Sequence, residues 1–480
     1  MYQNFGQFID GKWTPSSDGG VYEVVNPSNE EILGNASKAT NKDVEQALHS
    51  AKKGLEIWKK TSAWERSAKI RKIADLIRDK KDIIANWIAL EVGKPFAQGQ
   101  GEAMGAADIF EWNAEETKRI YGQIVESRFA DTRVQIKYEP VGVVAALTPW
   151  NFPTILAARK ISTALAAGCS VICKPDVVTP GSVMQLVDIA REAGIPAGVV
   201  NLLSGDPASI SSQLLSSDIV KKISITGSTR VGKIILKQAA EKVQRVTMEL
   251  SGHAPFIVHD DANIQKATDM AIMAKYRNTG QVCISPSRFF IHESKKEEFT
   301  KLFVEKTLKL KIGSGLDKNT DLGPITTQKR LNEIEELVEH TKKEGAKVLC
   351  GGKRPAEFNK GYFYEATVFD NVKDDFKIMT TEPFGPLSPI LSFKDFDEVI
   401  ERANNHDAGL AAYVATSSME KAHKTSDALE TGMVAINTPF VAFAETPFGG
   451  IKQSGYGREG GSEAIKDYLN IKYTHLGISG

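Results

Sequence analysis

Short apolar runs alternate with amphipathic segments in the middle of this chain, and this alternation constrains its fold more than any other feature. The runs are VGVVAAL, SVICK, GVVNLL, KKISIT and RVTMEL, and helical patterns separate them near residues 154–167, 181–193, 207–215 and 229–240. Strands that are buried on both faces are typically continuous apolar runs of this kind. The alternation therefore predicts an α/β fold with a parallel, doubly wound sheet and right-handed crossovers.

A second alternating series runs from APFIVHD at residue 254 to TGMVAIN at residue 437. Residues 41–120 instead have the helical periodicity and mixed charge of amphipathic helices that cover a sheet. The chain has 480 residues, of which 41% are hydrophobic, and this is ample for two large α/β domains.

Two segments interrupt this pattern and predict a β-structured arm. GQIVESRFADTRVQIKYEP, residues 122–140, contains two alternating runs that predict an antiparallel hairpin, and KDYLNIKYTHLGI, residues 466–478, alternates similarly. A strand with an exposed edge invites pairing with another chain. We therefore expect a homo-oligomer, either a dimer or a tetramer.

Charge and cysteine content narrow the classes of partner. Basic and acidic residues both number 60, which does not favour nucleic acid or an anionic membrane as the main partner. The first residues resemble no secretory signal, and the longest apolar runs are far shorter than a membrane helix, so we expect a soluble, cytoplasmic protein. The cysteines are too sparse for a disulfide framework, and Cys169 and Cys173 in one strand would lie about 13 Å apart. No ligand-spaced cluster of histidine or cysteine occurs, so no metal is expected.

The stretch YRNTGQVCISP places Cys283 between a glycine and a proline, a setting typical of a loop at a domain junction. A nucleophilic cysteine needs a lowered pKa and a nearby group that stabilises an oxyanion. From this stretch alone, an inert thiol is as consistent with the sequence as a catalytic one.

Further polar residues follow the predicted strands, at the carboxyl ends where open α/β sheets bind their ligands. Each has an ordinary structural interpretation, a turn residue or a solvated side chain, beside its functional one. An asparagine amide suits an oxyanion, a lysine suits ribose or phosphate oxygens, and glycines at a helix N-terminus suit a pyrophosphate. The residues are Asn151 in LTPWNFP, Lys174 in CKPDVVTP, Gly227, Ser228 and Gly232 in ITGSTRVG, and Glu249 in ELSG; in EPFGP a further glutamate, Glu382, precedes a rigid turn.

Together these motifs make the chain resemble the aldehyde dehydrogenase superfamily over essentially its whole length. The matching motifs are PWNFP, KP, TGSTxxG, GQxC, EPFGP and, from residue 447, PFGGIKQSGYGREG. The resemblance implies that Cys283 is the nucleophile, that Asn151 and the Cys283 backbone N–H form the oxyanion hole, and that Glu249 is the base for deacylation.

The resemblance also implies a Rossmann-like cofactor-binding domain, an α/β catalytic domain and a small β oligomerisation arm. The NAD(P)-binding domain would comprise residues 1–121 and 141–249 with part of 438–465. Residues 250–437 would form the catalytic domain that carries Cys283, and residues 122–140 and 466–480 would form the arm.

For the cofactor, the resemblance implies NAD or NADP. Its contacts would come from Trp150, Lys174, Asp176, Val177, Gly227, Ser228, Gly232, Glu382 and Phe384. Many NAD-preferring relatives have a glutamate at the position of Val177, which accepts the adenosine ribose hydroxyls and repels a 2′-phosphate. Its absence predicts dual or NADP-leaning use, although Asp176 could partly restore the repulsion. A second departure is Ser251, which stands where relatives often have a glycine after the base.

Within the superfamily, the chain most resembles succinate-semialdehyde dehydrogenases and related semialdehyde dehydrogenases, whose two arginines grip the far carboxylate of the substrate. The matching residues are Arg159 and Arg277, and two guanidinium groups suit a small anion. Relatives usually have a serine before PFGG, whereas this loop has Ala442 and Phe443, so an oxo-acid, ring-borne or sulfonated aldehyde is an alternative substrate. Ser285 replaces the second cysteine of those relatives, so no local disulfide can form.

Two other functions stay open at this stage. A CoA-acylating semialdehyde dehydrogenase would share the fold but favour a thiol as acyl acceptor, and Glu249 argues against it. A non-catalytic structural or binding protein of the same fold would have no reason to keep Cys283, Asn151 and Glu249 together.

Overall fold

Strands and helices alternate along most of the chain in a computed structural model that describes residues 2–478. Residue 1 of the first predicted domain and residues 479–480 of the predicted arm lie outside the described residues. The strands are β1 (Gln7–Ile9), β2 (Lys12–Thr14), β3 (Val21–Val25), β4 (Ile32–Ser37), β5 (Gln123–Val125), β6 (Thr132–Pro140), β7 (Val143–Leu147), β8 (Ser170–Lys174), β9 (Val200–Leu202), β10 (Val220–Thr226), β11 (Arg245–Glu249), β12 (Ala254–Val258), β13 (Pro286–His292), β14 (Lys347–Cys350), β15 (Thr367–Asp370), β16 (Leu387–Phe393), β17 (Ala408–Gly409), β18 (Ala411–Ala415), β19 (Met433–Ile436), β20 (Ile451–Lys452), β21 (Gly455–Tyr456) and β22 (Leu469–Gly477).

The helices follow the predicted amphipathic segments. They are α1 (Asn41–Trp58), α2 (Ala63–Asp79), α3 (Lys81–Glu91), α4 (Phe96–Thr117), α5 (Pro153–Ala167), α6 (Pro180–Glu192), α7 (Pro207–Ser216), α8 (Thr229–Ala240), α9 (Ile264–Tyr276), α10 (Glu293–Thr307), α11 (Gln328–Lys343), α12 (Lys377–Thr380), α13 (Phe396–Asn404) and α14 (Met419–Ala428).

The first large sheet has the strand order β2-β1-β9-β8-β7-β10-β11-β21, and its central strands β9, β8, β7, β10 and β11 are parallel. All five predicted strands and the four helices between them are confirmed. Every residue of β7 and β8 is buried because helices cover both faces of the sheet, which explains their continuous apolar sequence.

The carboxyl ends of these strands meet at one edge of the sheet. Leu147, the last residue of β7, pairs with Lys174 of β8 and with Ile225 of β10, and Thr226 pairs with Glu249 of β11. The register thus places the ends of four strands, and the turns that follow them, side by side. This edge is where ligands bind in open α/β sheets.

The second large sheet has the order β14-β15-β16-β13-β12-β18-β19, in which β14 alone runs antiparallel to its neighbour. It confirms the α/β series predicted between residues 254 and 437. Helix α9 leads from this sheet into a 3₁₀ turn at Arg277–Gly280, and Cys283 follows shortly before β13 begins at Pro286.

A separate three-stranded sheet has the order β22-β6-β5; it confirms the predicted antiparallel hairpin, and the tail strand β22 pairs with β6. The tail strand begins at Leu469, later than predicted, because residues Ala464–Tyr468 form a 3₁₀ turn that buries Tyr468. Beyond this turn Ile471 and Tyr473 are 70% and 71% exposed. The assembly role of this arm stays a prediction.

The cysteines and the helices bear on two further expectations. All four cysteines are free thiols; Cys169, Cys173 and Cys350 are buried, and Cys283 is half-buried. Across residues 2–478 no three or more His, Cys, Asp or Glu side chains are grouped so that they could hold a metal ion. Among the helices of these residues, none has both the length and the apolar character needed to cross a membrane.

Candidate active site

The Cys283 loop begins with residues in a strained backbone conformation. Asn278, Thr279 and Gly280 have φ angles of 49°, 55° and 74°, a left-handed conformation that is costly for the two non-glycine residues. A Cβ atom at Gly280 would collide with the carbonyl oxygen of Gly385, so the loop lies directly against the EPFGP turn. Such strained backbone persists where the surroundings determine it, as in many functional sites.

The electrostatic surroundings of Cys283 favour its thiol form. Its pKa is raised to about 12, mainly by burial and then by the carboxylates of Glu382 and Glu249, while the Arg277 guanidinium opposes this shift. Glu382, Glu249 and Arg277 therefore all lie close enough to act on the sulfur. A positive charge that enters the site would shift the balance toward the thiolate, which is the nucleophilic form.

Asn151 is fixed next to the cysteine loop. Its side chain is buried, and its Nδ2 donates to the carbonyl oxygen of Gln281 at 3.1 Å. Asn278 Nδ2 in turn donates to the carbonyl oxygen of Asn151 at 3.1 Å. These reciprocal bonds bring together two segments that are 130 residues apart in sequence. One N–H of the Asn151 amide remains for a further acceptor.

Glu249, the last residue of β11, is 1% exposed, and neither of its carboxylate oxygens has a hydrogen-bond partner within residues 2–478. Burial raises the pKa of this carboxyl group well above its usual range, the nearby Glu459 raises it further, and Lys160 lowers it. A buried carboxyl group with a raised pKa is typical of a general base.

The ELSG departure is accommodated as expected. A Cβ atom at Gly252 would collide with the carbonyl oxygen of Cys283, so the second of the two positions must be glycine. Ser251 occupies the first position, where its carbonyl oxygen accepts a hydrogen bond from Ser454 Oγ at 2.7 Å.

Cys283 opens onto a cavity of about 430 Å³, called the cysteine cavity below. Seven of the predicted site residues line it, namely Cys283, Asn151, Trp150, Gly227, Ser228, Glu382 and Phe384. The Trp150 and Phe384 rings meet edge to face at 5.5 Å, and burial raises the pKa of Glu382 to about 7.

This cavity fits a dinucleotide at the N-terminus of α8. Ser228 is the N-cap residue, and its Oγ accepts from Val231 N at 3.3 Å. A Cβ atom at Gly227 would meet no atom within 4 Å, so this residue borders open space. Gly232 lies outside the lining, and a Cβ atom there would approach Leu250 to 2.6 Å, so this glycine allows α8 to pack on the sheet. Backbone N–H groups and the helix dipole suit a pyrophosphate.

The remaining predicted cofactor residues lie at the adjacent end of β8, outside the cysteine cavity. Lys174 is 5% exposed, and its ammonium group makes no hydrogen bond or ion pair within residues 2–478. Asp176 Oδ1 accepts from Val178 N at 3.0 Å, while Val177 is half-buried. Burial lowers the pKa of Lys174, and Asp176 partly opposes this shift, so the two charges are close.

Arg159 and Phe443 line a second cavity of about 350 Å³, called the arginine cavity below. Arg159 is 4% exposed, and it donates to the carbonyl oxygens of Glu459 at 3.0 Å and Phe443 at 3.5 Å. Its guanidinium lies 4.9 Å from the Phe448 ring centroid. Arg277 lies outside this lining, half-buried, with its guanidinium 5.3 Å from the Phe152 ring centroid. Neither arginine forms an ion pair with a carboxylate of residues 2–478.

Several residues of the site carried no recognisable sequence signal. Arg330, in the first turn of α11, lines the cysteine cavity and donates to the carbonyl oxygens of Pro383 at 3.0 Å and Phe384 at 3.3 Å. It thus holds the turn that carries Glu382. Arg230 and Lys329 also line this cavity and were missed, because isolated basic residues on helices are usually solvated.

Comparisons with known proteins agree with this geometry. A family model, Aldehyde dehydrogenase family, matches residues 13–474. The chain is 40% identical over 471 residues to the glutarate-semialdehyde dehydrogenase of Pseudomonas putida, covering 98% of this chain and 97% of that one. It is 39% identical over 470 residues to the succinate-semialdehyde dehydrogenase [NADP(+)] of Escherichia coli, with coverages of 98% and 97%. The solved NAD+ complex of an aldehyde dehydrogenase from Bacillus cereus matches with a TM-score of 0.96, 36% identity and coverages of 99% and 97%.

Proposed function

The chain belongs to the aldehyde dehydrogenase family, and we propose that it oxidises a small anionic aldehyde, succinate semialdehyde or a related semialdehyde, to the carboxylic acid with NAD(P)+. The observation that carries the substrate class is the pair Arg159 and Arg277. Arg159 is buried and Arg277 is half-buried, and neither guanidinium group has a carboxylate partner within residues 2–478. Removing a charge from water without a partner is costly, so a site with two unpaired guanidinium groups is suited to an anion.

In the first half of the reaction, the Cys283 thiolate attacks the aldehyde carbon and forms a C–S bond, while the carbonyl π electrons move to oxygen. Asn151 Nδ2 and the Cys283 backbone N–H would donate to the resulting oxyanion. Donors aimed at developing charge in a water-poor site are among the strongest catalytic contributions an enzyme makes. Loss of the aldehyde hydrogen as hydride then leaves a thioester on Cys283.

In the second half, Glu249 would take a proton from a water molecule as its oxygen attacks the thioester carbon. The C–S bond breaks, the thiolate is restored, and the carboxylic acid leaves. The raised pKa of Glu249 makes its carboxylate a stronger base than an ordinary surface glutamate. A base that can activate water for deacylation disfavours the CoA-acylating alternative, in which a thiol accepts the acyl group.

The cofactor would be held by Ser228 and the α8 N-terminus at the pyrophosphate, by Lys174 and Glu382 at the ribose hydroxyls, and by Trp150 and Phe384 at the pocket walls. When bound, NAD(P)+ supplies the ring carbon that accepts hydride and a positive charge near the sulfur. Since burial and the nearby carboxylates raise the Cys283 pKa to about 12, such a charge opposes this shift.

The arginine cavity would determine which length and geometry of distal anion the site accepts. Ala442 and Phe443, which line it, offer no hydroxyl donor, so the anion there would depend on guanidinium N–H groups and on the indole N–H of Trp112, which has no partner within residues 2–478. A carboxylate and a sulfonate each carry one negative charge, and both can accept hydrogen bonds from such donors. An oxo-acid or sulfonated aldehyde is therefore the second candidate substrate.

The assembly and the location of the protein extend this proposal. The arm β5–β6–β22 has exposed apolar side chains on an open sheet, including Ile471 and Tyr473 on β22. These features support a homo-oligomer, a dimer or a tetramer, and the mass of the purified protein in solution would decide between them. We also propose a cytoplasmic location, the compartment that supplies NAD(P)+.

The function is tested by following the absorbance of reduced cofactor with an aldehyde panel. The panel contains succinate semialdehyde, glutarate semialdehyde, a short sulfonated aldehyde and butanal, each with NAD+ and with NADP+. We expect oxidation of at least one anionic aldehyde with a higher kcat/KM than butanal. A protein that oxidises butanal better than every anionic aldehyde would contradict the proposed substrate class.

A further inference from the structure

A fully buried ion pair lies beneath the turn that carries Asn151, and the mechanism above makes no use of it. Lys94, between α3 and α4, pairs with Glu102 of α4, and both side chains have 0% exposure. A buried ion pair is usually no more stabilising than a well-packed apolar pair of the same volume. Its presence here indicates a role that depends on its charges and hydrogen bonds.

Glu102 holds the start of α5. Its Oε1 accepts from the backbone N–H groups of Thr154 at 2.9 Å and Ile155 at 3.2 Å, in the first turn of the helix. Its Oε2 accepts from Lys94 Nζ. Glu102 therefore satisfies two N–H groups that the helix leaves without intrahelical partners, and an anion there also complements the helix dipole.

Lys94 holds the two residues immediately before that turn. Its Nζ donates to the carbonyl oxygen of Asn151 at 3.0 Å and lies 3.5 Å from the Phe152 ring centroid. Asn151, Phe152, Thr154 and Ile155 are thus all fixed by one ion pair. The position of the Asn151 amide depends on this backbone, because its side chain has only two rotatable bonds beyond Cα.

The same pair reaches the predicted substrate arginine. The Phe152 ring, which contacts the Lys94 ammonium group, also lies 5.3 Å from the Arg277 guanidinium. The Asn151 carbonyl oxygen, which accepts from Lys94, also accepts from Asn278, the residue after Arg277. The two positive charges act on each other: burial lowers the pKa of Lys94 to about 8, Glu102 opposes this shift, and Arg277 adds to it.

We propose that Lys94 and Glu102 are positioning residues that act through Asn151, by holding its amide where the oxyanion forms, and through Phe152, by fixing the ring against which Arg277 rests. This inference rests on the proposed function, since it assigns Asn151 to the oxyanion. It identifies two residues that touch neither aldehyde nor cofactor but set the rate of hydride transfer.

The test compares single and paired variants. Lys94→Met removes the donor to Asn151 and leaves Glu102 unpaired, whereas Lys94→Met/Glu102→Gln removes both charges and retains an acceptor for Thr154 and Ile155. Lys222→Met is the matched control. Lys222 is another buried lysine, which donates to Thr247 Oγ1 and lies 4.5 Å from the Tyr468 ring centroid, near the amino end of β10.

The expected result separates positioning from stability. Loss of one oxyanion donor costs about 10²–10³-fold in kcat, so a displaced Asn151 should slow single-turnover hydride transfer by about 10–100-fold. The paired variant should melt near the wild-type temperature and still show this loss, and it should bind NAD(P)+ normally. Lys222→Met should keep the wild-type rate of hydride transfer at temperatures where it is folded.

A double-mutant cycle with Asn151→Ala tests whether the pair acts through that residue. If it does, Lys94→Met/Glu102→Gln should slow hydride transfer about 10–100-fold in the wild type but less than about threefold in Asn151→Ala. Hydride transfer within twofold of wild type in the paired variant, or a full additional loss in Asn151→Ala, would overturn the proposal. If Lys94→Met does not fold, the paired variant and Glu102→Gln provide the same comparison.

The cycle uses whichever aldehyde the wild-type protein oxidises best, butanal included. A wild type that prefers butanal would therefore contradict the anionic substrate and still leave the Asn151 cycle measurable. Conversely, an anionic preference combined with an additive cycle would contradict the positioning role alone.

Discussion

The cysteine cavity and the arginine cavity are built from different kinds of segment. The cysteine cavity takes most of its lining from strand ends and turns, such as Trp150 after β7, Ser228 after β10 and Glu382 before β16, and the rest from α8 and α11. The arginine cavity takes its lining from helix faces, α4 and α5, and from the loop around Phe443. Strand ends are set by sheet register, whereas side chains on helix faces can change without moving the backbone. In the proposed function, the reaction thus depends on the positions of strands in the fold, and the choice of aldehyde depends on side chains that can be replaced.

The charges of the two cavities also differ. Around the cysteine cavity, carboxyl groups have raised pKa values, about 7 for Glu382 and well above its usual range for Glu249. Four acidic residues line the arginine cavity: Glu111 and Glu115 pair with Arg71, Asp108 pairs with Arg78, and Glu445 lies in the loop around Phe443. Arg159 forms no ion pair with these residues. In the proposed function, the cysteine cavity carries out the proton transfers and the arginine cavity holds the anion of the substrate.

The largest expected effect is that of Cys283→Ala, which should abolish oxidation of charged and uncharged aldehydes alike. Removal of a covalent nucleophile typically costs about 10⁴–10⁶-fold in kcat. Binding of NAD+ and NADP+, measured by fluorescence titration, should stay within about threefold of wild type, because cofactor contacts lie mainly at other positions. Turnover near the wild-type rate would show that the cysteine cavity does not carry out the reaction.

Glu249→Gln should separate the two halves of the reaction. Hydride transfer precedes deacylation, so a burst of reduced cofactor equal to the enzyme concentration should precede turnover slowed by about 10²–10⁴-fold. The pKa of Glu249 is raised, so in wild type the basic form becomes more abundant as pH rises, and steady-state turnover should rise with it. The glutamine variant should lack this dependence on the base. A variant with neither burst nor turnover would place Glu249 before hydride transfer.

The contrast between the cavities also explains what could be predicted from the sequence. Cys283, Asn151, Glu249 and Ser228 follow strands or a fixed turn, where short motifs with turn residues mark the position. The central strands of the first large sheet were predictable from their composition, since burial on both faces leaves a continuous apolar run.

Other parts of the site depend on contacts between distant segments and leave no local pattern. Lys94 and Glu102 look like ordinary charged residues on a helical surface, yet both are fully buried beneath Asn151. Arg330 contacts the turn after Thr381 only through the packing of α11. The start of the tail strand was placed early because alternation continues through the 3₁₀ turn that precedes Leu469.

Arg159→Ala and Arg277→Ala should reduce the preference for anionic aldehydes more than they reduce the oxidation of an uncharged aldehyde. Losing one partner of a charged hydrogen bond costs about 2–5 kcal/mol, which corresponds to about a 30- to 5000-fold fall in kcat/KM for succinate semialdehyde. Butanal should lose far less, because it never pairs with the arginine. Arg402→Ala is the control: it removes an arginine that pairs with Asp374 and Glu398, and it should leave both aldehydes unaffected. Equal losses on butanal and succinate semialdehyde would make the arginines structural.

The smallest expected effect concerns the cofactor, at the edge of the first sheet where Val177 stands. A glutamate there would repel a 2′-phosphate, and its absence should leave the kcat/KM values for NAD+ and NADP+ within about a hundredfold of each other, or about 2.7 kcal/mol. Asp176 is the remaining carboxylate of this turn, but its Oδ1 already accepts from Val178 N at 3.0 Å. Part of the negative charge of Asp176 is therefore already compensated by an N–H group of its own turn.

Two variants sharpen this last prediction. Val177→Glu should lower kcat/KM for NADP+ by about 10-fold or more while that for NAD+ changes little, because one like charge is placed against the 2′-phosphate. Asp176→Asn should raise the NADP+ value slightly if its carboxylate contributes at all. A wild-type preference for NAD+ above about a hundredfold that Asp176→Asn removes would assign the exclusion to Asp176. The same preference left intact by Asp176→Asn would place the discrimination at a third group, since Val177 carries no charge with which to repel phosphate.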